Sequence, residues 1–200
     1  MQLQIDGLKT RVFSLNSASI LEILSVHEAL RPYLSESENY YPGFKAWYQK
    51  VYVQLLLGGR SIIAAYSKNN IAGFAILKNT ICENKICTFK INKQFRKNGI
   101  ADNLMATALN LLGFKNVLIT MPDFHHENFI PLMDKFGFFM ICKKHCAYKK
   151  NHSEFFYALD PQPAFGLDVK NKSEMNGEMD KIYGGIEKDV QVKYSHDTLP

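Results

Sequence analysis

The segment Phe89-Lys90-Ile91-Asn92-Lys93-Gln94-Phe95-Arg96-Lys97-Asn98-Gly99-Ile100-Ala101-Asp102 holds the residues best placed for chemistry. An apolar run leads into a short loop, and the loop opens a helix. Small residues at Gly99 and Ala101 let a backbone approach a ligand closely. The first-turn amides of a helix have no intrahelical acceptor, and the helix dipole adds partial positive charge, so the loop is a ready anion site. Lys85, Lys90, Lys93, Arg96 and Lys97 cluster within thirteen residues. A pyrophosphate suits such a place.

A second group of chemical side chains, Asp123, His125, His126 and Glu127, follows the next strand-like run. Histidine titrates close to neutral pH and suits a general base. The plainer reading makes these residues the start of a helix, with Glu127 favouring its N-terminal dipole. Glu83 and Tyr66 are secondary candidates. Of the four cysteines, Cys142 and Cys146 flank His145 but lack the second paired set of a zinc site, and Cys87 sits in a strand as a small hydrophobe.

The elements that must position these groups are legible in the pattern. Ser19 followed by Glu22 is a capping box, and the helix it opens runs to about Leu30, where Arg31-Pro32 interrupts it. Phe44, Trp47, Tyr48, Val51, Tyr52, Leu55 and Leu56 form one apolar stripe at helical spacing, stopped by Gly58-Gly59. Trp47 and the tyrosines there read first as core packing. Ser61 to Tyr66 and Ile71 to Leu77, joined by Lys68-Asn69-Asn70, read as a hairpin. Lys85 to Ile91 reads as a third strand, with Ile86, Thr88 and Lys90 alternating against Cys87, Phe89 and Ile91. A helix carrying Leu104, Met105, Ala108, Leu111 and Leu112 ends at Gly113. Val117 to Met121 is a fourth strand. A stripe of Phe129, Ile130, Leu132, Met133 and Phe136 ends at Gly137. Phe138 to Cys142 and Phe155 to Leu159 pair as the last two strands. The fold expected is α/β: a mixed sheet flanked by helices, with a strand–helix–strand crossover at its centre. Ligands in such sheets bind at the carboxyl ends of the crossover strands.

The chain has 200 residues, 46% of them hydrophobic, which suits one domain with a core of its own. That domain is expected to span 1–160. In 161–200 the pattern fades and acids outnumber lysines, so this stretch reads as a loosely attached or disordered tail; only 180–194 shows some strand-like alternation. The net charge is +5, and residues 1–160 alone carry +7, which favours anionic partners. No run is long and apolar enough to span a membrane, and Met1 to Asp6 has no signal-like character, so a cytoplasmic location is expected.

The loop Arg96-x-x-Gly99-x-Ala101 resembles the signature of the GCN5-related N-acetyltransferase (GNAT) superfamily. Asp134-Lys135-Phe136-Gly137-Phe138 resembles that family's late segment of helix, Gly-Phe and strand. Element order agrees, and the resemblance covers about 155 residues. It implies a mostly antiparallel central sheet and acetyl-CoA as cosubstrate. It further implies that the amides around Arg96, Lys97, Asn98, Gly99, Ile100, Ala101 and Asp102 hold the pyrophosphate, and that the backbone at Phe89 and Ile91 pairs with the pantetheine arm. The family commonly places a tyrosine, the general acid, four residues before the Gly-Phe glycine. Here that position is Met133, which has no proton to donate. The common asparagine falls on His126.

The leading expectation is therefore transfer of acetyl from acetyl-CoA to a primary amine by direct attack in a ternary complex, with His126, His125 or Glu127 as the base. The acceptor is a small molecule, a peptide N-terminus, a lysine side chain or an aminoacyl-tRNA, the last a toxin-like activity. The aromatic second helix, with Tyr40, Tyr41 and Trp47 near its start, is expected to wall the acceptor site. The alternative is a non-catalytic CoA-binding module that regulates or scaffolds a partner. No membrane partner is expected, and a homodimer is compatible with the sequence.

Overall fold

A computed structural model describes residues 8–159. The expected tail therefore lies outside the described residues, as does the N-terminal hexapeptide. Among the described residues seven strands form one sheet, in the order β1-β2-β3-β4-β5-β7-β6. They are β1 Leu8–Phe13, β2 Arg60–Ser67, β3 Asn70–Asn79, β4 Asn84–Ile91, β5 Val117–Pro122, β6 Phe139–His145 and β7 Ser153–Leu159. Every neighbouring pair is antiparallel except β4 and β5. The one parallel pair is joined by the crossover helix α4, Ile100–Leu112. The α/β fold class expected from the sequence is the one found.

Two apolar cores lie on the two faces of this sheet. On one face, α4 and α5 (Asp123–Lys135) pack Leu104, Met105, Ala108, Leu109 and Met133 against Ile86, Val117, Ile119 and Tyr157. On the other, α1 (Ile20–Leu30) and α3 (Phe44–Leu56) pack Ile23, Val26, Val51 and Leu55 against Ile62, Phe74 and Ile76. Between them α2, Ser35–Tyr40, follows a 3-10 turn at Arg31–Leu34 that carries Pro32. Trp47 packs at the rim of the second core, with the Arg60 guanidinium over its ring.

The capping box at Ser19 forms as expected: its backbone N–H donates to the Glu22 carboxylate at 3.0 Å, and its side chain accepts the Glu22 N–H. Glu22 also binds Arg11 at 2.7 Å, and these hydrogen bonds hold its carboxyl down at about 2.

Three features differ from the sequence reading. β1 and α2 are additional, because a six-residue edge strand and a short polar helix carry too little periodicity to stand out. The last helix starts at Asp123, ahead of the stripe that begins at Phe129, so His125, His126 and Glu127 lie in its first two turns, as the plainer reading of them had it. The strict alternation along β4 also fails. Ile76 pairs with Thr88 and Leu77 with Ile86, so Cys87 is an extra residue in the ladder. This bulge reverses the parity, and Ile86, Phe89 and Ile91 all pack on the α4 side.

Candidate active site

β4 and β5 are paired only from Asn84↔Val117 to Ile86↔Ile119. Beyond that point they part: β4 continues along β3 to Ile91, while β5 continues along β7 to Pro122. The sheet thus carries a cleft at the carboxyl ends of its two parallel strands, and the β5-facing edge of β4 from Cys87 onward has no strand partner among the described residues. An unpaired edge of this kind offers backbone donors and acceptors to an extended ligand.

At the tip of β4 the chain makes a 3-10 turn, Lys93–Phe95, and enters α4 through Gly99. Gly99 is left-handed, at φ 72°, and nothing lies within 4 Å of where its Cβ would stand. No side chain caps α4. Asn103 is the first amide to bond back into the helix, donating to the Gly99 carbonyl at 3.1 Å. The amides of Ile100, Ala101 and Asp102 therefore face the loop without a helical acceptor. An open cradle of this chemistry fits a diphosphate.

The basic residues around the loop are less concentrated than the sequence suggests. Lys90 is already paired: its Nζ donates to the Tyr33 carbonyl at 2.6 Å and to Glu36 at 3.0 Å. Lys85 lies at the other end of β4 and acts on Glu154. Lys93 and Arg96 remain near the loop and, with Lys90 and Glu36, line a cavity of about 230 Å³ beside Pro32 and Tyr33. Asp102 is paired with Lys135 of α5 at 2.9 Å.

The histidine pair divides. His126 stacks on Phe155, ring centroids 3.6 Å apart, and its Nε2 lies 2.8 Å from the Tyr157 hydroxyl. His125 is on the exposed side of α5, in the fields of Glu36, Arg96 and Lys90; desolvation lowers its pKa most, and Glu36 opposes that. Glu127 is exposed. Asp123 is committed to structure. It accepts from His152 Nδ1 and from the Ser153 N–H, both at 3.0 Å, and these bonds hold its carboxyl below the usual range. Glu83 sits in the β3–β4 turn, at the far end of β4, bonded to Lys78. Tyr66 ends β2 beside Arg11, away from the cleft. Met133 is fully buried in the α4–α5 core.

On the face opposite α4 and α5, the structure assembles a group the sequence reading passed over. Glu154 of β7 is 0% exposed. It pairs across to Pro122, the last residue of β5. The Tyr41 hydroxyl donates to it at 3.2 Å and the Tyr40 hydroxyl at 3.5 Å. Burial pushes the Glu154 carboxyl up to about 7, against the pull of hydrogen bonds from Thr120, Tyr41 and Tyr40 and of the Lys85 charge. Thr120 lies on β5 just past its last pairing with β4, at Ile119, so the carboxylate stands on the β5 side of the cleft. A signal existed in Ser153-Glu154-Phe155-Phe156-Tyr157: an acid inside an otherwise apolar strand demands an explanation. Starting the strand at Phe155 hid it.

A family model described as "Acetyltransferase (GNAT) domain" matches residues 32–145, more than half of the chain. The chain belongs to the GNAT acetyltransferases, whose acyl donor is acetyl-CoA. Solved structures share the fold at low identity. Ard1 from Thermoplasma volcanium is 19% identical, with a TM-score of 0.56, over 76% of this chain and 96% of its own. ElaA from Escherichia coli is 16% identical, at 0.55, over 76% and 99%. The ribosomal-protein-S18-alanine N-acetyltransferase from Escherichia coli is 13% identical, at 0.54, over 80% and 100%. No curated protein matches the chain in sequence. No helix among the described residues is long and apolar enough to cross a membrane.

Proposed function

We infer that the chain is an N-acetyltransferase that moves the acetyl group of acetyl-CoA to a primary amine by direct attack in a ternary complex. The observation that carries this reading is the open, left-handed Gly99 at the head of an uncapped α4, set at the mouth of the β4–β5 cleft. Bound there, acetyl-CoA supplies a thioester whose carbonyl is open to attack by a neutral amine. The amides of Gly99, Ile100, Ala101 and Asp102 hold its diphosphate, with Arg96, Lys97 and Asn98 completing the loop. The free edge of β4 at Phe89 and Ile91 aligns its arm.

Of the expected trio, His126 carries the strongest support. It is bonded to Tyr157, and together they form a proton-relaying pair on the α5 side of the cleft. This pair takes the place of the hydroxyl missing at Met133. His125, in the field of Arg96, is assigned to the cofactor's charged end rather than to the reacting amine, and Glu127 lies beyond it on α5. A second reading, a CoA-binding module without turnover, is favoured by Met133 alone, since a thioether buried in the core donates no proton.

One experiment separates them. Acetyl-CoA at about a hundred times its Kd stabilises a binding protein by about 2.7 kcal/mol, which raises Tm by several degrees for a domain of this size. We expect that shift, and we expect free thiol to appear when an amine panel is added. A shift without thiol release selects the binding module; no shift at all sinks both.

A further inference from the structure

The cavity of about 230 Å³ beside the tip of β4 has no role in the acetyl transfer proposed above. Pro32 to Glu36 bound it on one side, and the end of β4 with the turn after it on the other. None of Gly99 to Asp102 borders it, so it is separate from the diphosphate cradle. Pockets that hold a whole ligand run to about 300–1,000 Å³, so this one suits a single headgroup. Its charge is unbalanced: Lys90, Lys93 and Arg96 share it with one acid, Glu36. Glu36 is committed to Lys90 at 3.0 Å, and its side chain is 63% exposed. Among the described residues no carboxylate pairs with Lys93 or Arg96. The Arg96 Nε reaches the Ile91 carbonyl at 3.5 Å, which leaves the terminal nitrogens for another acceptor. The Asn92 side chain is bonded to the Ile71 carbonyl, and the Ser35 hydroxyl adds a neutral donor. His125 of α5 is the other titratable group in the fields of Glu36, Arg96 and Lys90.

We propose that this cavity is a second anion site, which takes a phosphate or carboxylate group between Lys93 and Arg96 while the cradle at Gly99 holds the coenzyme. The guanidinium presents a planar fork that matches an oxoanion, and the lysine adds a point charge on a flexible stem. Hydrogen bonds of this charged kind are shorter and stronger than neutral ones. Lys90 is held back by Glu36 and the Tyr33 carbonyl, so it contributes its field rather than a direct bond. Pro32, Tyr33 and Ile91 offer apolar contact to the first carbons behind the anion. Glu36 works against the ligand, because its charge repels an incoming anion. An uncharged isostere gains neither charged bond, and the site discriminates against it. The anion arrives as a substituent on the amine acceptor, in which case the site rests on the acetyltransferase reading, or as a free effector, in which case it does not.

Calorimetry on the full chain tests this, with propylphosphonate as the probe and CoA present at saturation so that the cradle is filled. We expect binding that weakens with added salt. Lys93→Gln should weaken it about tenfold, the low end of what one charge-assisted hydrogen bond supplies. Glu36→Gln should tighten it. Lys115→Gln, which removes an exposed lysine on the α4–β5 connection, should leave it unchanged. Opposite shifts from removing a cation and an acid at one cavity are not produced by damaged folding, which would weaken both. Absence of binding to the CoA-saturated chain, or equal effects of Lys93→Gln and Lys115→Gln, overturns the proposal. So does binding that CoA abolishes and dephospho-CoA spares, because the cavity then belongs to the coenzyme's ribose phosphate. Turnover separates the two sources. A KM for phosphoethanolamine about tenfold below that for n-butylamine, with the advantage lost in Lys93→Gln, puts the anion on the acceptor. Equal KM values with kcat altered by free propylphosphonate make it an effector. Probe binding in a protein that acetylates nothing leaves this site standing and sinks the acetyltransferase reading instead.

Discussion

Gly99 and Glu154 sit at opposite sides of one cleft and work by opposite means. Gly99 contributes by having no side chain, Glu154 by a carboxyl whose burial raises its pKa. The consequence at Gly99 is direct. Alanine there fills space that is open but strains a left-handed backbone, at about 1–2 kcal/mol. Glutamate adds the same strain and puts an anion at the proposed diphosphate cradle. We therefore expect Gly99→Ala to lower Tm by a few degrees yet retain the acetyl-CoA shift in part, and Gly99→Glu to abolish it; differential scanning fluorimetry with and without acetyl-CoA distinguishes the two. Met133 shows the limit of reading a site from its position in a motif. Its side chain is packed into the α4–α5 core, and the hydroxyl on that side of the sheet belongs to Tyr157, one strand away and bonded to His126.

Among the elements, β4 does the most to create the cleft. Its bulge at Cys87 turns Phe89 and Ile91 toward α4 just where β4 leaves β5. The close approach of β3, β4 and α4 behind that point depends on Gly73. A Cβ at Gly73 would stand 2.7 Å from Ile91 Cδ1, 2.9 Å from the Lys90 carbonyl oxygen and 3.1 Å from Leu104 Cδ1. The methyl end of Ile91 can turn aside, but the carbonyl belongs to the β4 backbone and cannot move without disturbing the strand. Gly73→Ala should accordingly cost about 1–3 kcal/mol in urea denaturation, the usual range for overpacking, and weaken acetyl-CoA binding by displacing the edge of β4. Normal binding with lost stability would show that the cleft edge does not depend on this contact.

For the whole molecule, the buried carboxyl of Glu154 couples folding to pH. Its folded pKa, about 7, lies above the ordinary glutamate value of 4.5. Between those values the unfolded chain gives up the proton and the folded chain keeps it, so the folded state loses ground as pH rises through that window. The shift corresponds to at most about 3 kcal/mol, fully lost above pH 7. Asp123 works in the opposite sense: its lowered pKa gives stability present above its ordinary carboxylate value and lost as pH falls below it. Urea midpoints measured from pH 5 to pH 8 should fall in the wild type and stay nearly level in Glu154→Gln. A level curve in the wild type would mean that the carboxyl is not buried as described.

The sequence by itself determined the local elements, among them the loop proposed to hold the donor. The Ser19–Glu22 cap, the hairpin turn at Asn69-Asn70 and the loop from Arg96 to Ala101 are written in contiguous residues, because caps, turns and helix N-termini are short-range structures. What only the tertiary structure decided is the far side of the cleft. Tyr40, Tyr41, Lys85, Thr120 and Glu154 come from α2, its end, β4, β5 and β7, and no spacing along the chain links them. The β4 bulge was equally hidden, since it is defined by pairing with β3. Burial gives Glu154 its chemistry, and burial is a property of the packed sheet rather than of the residue.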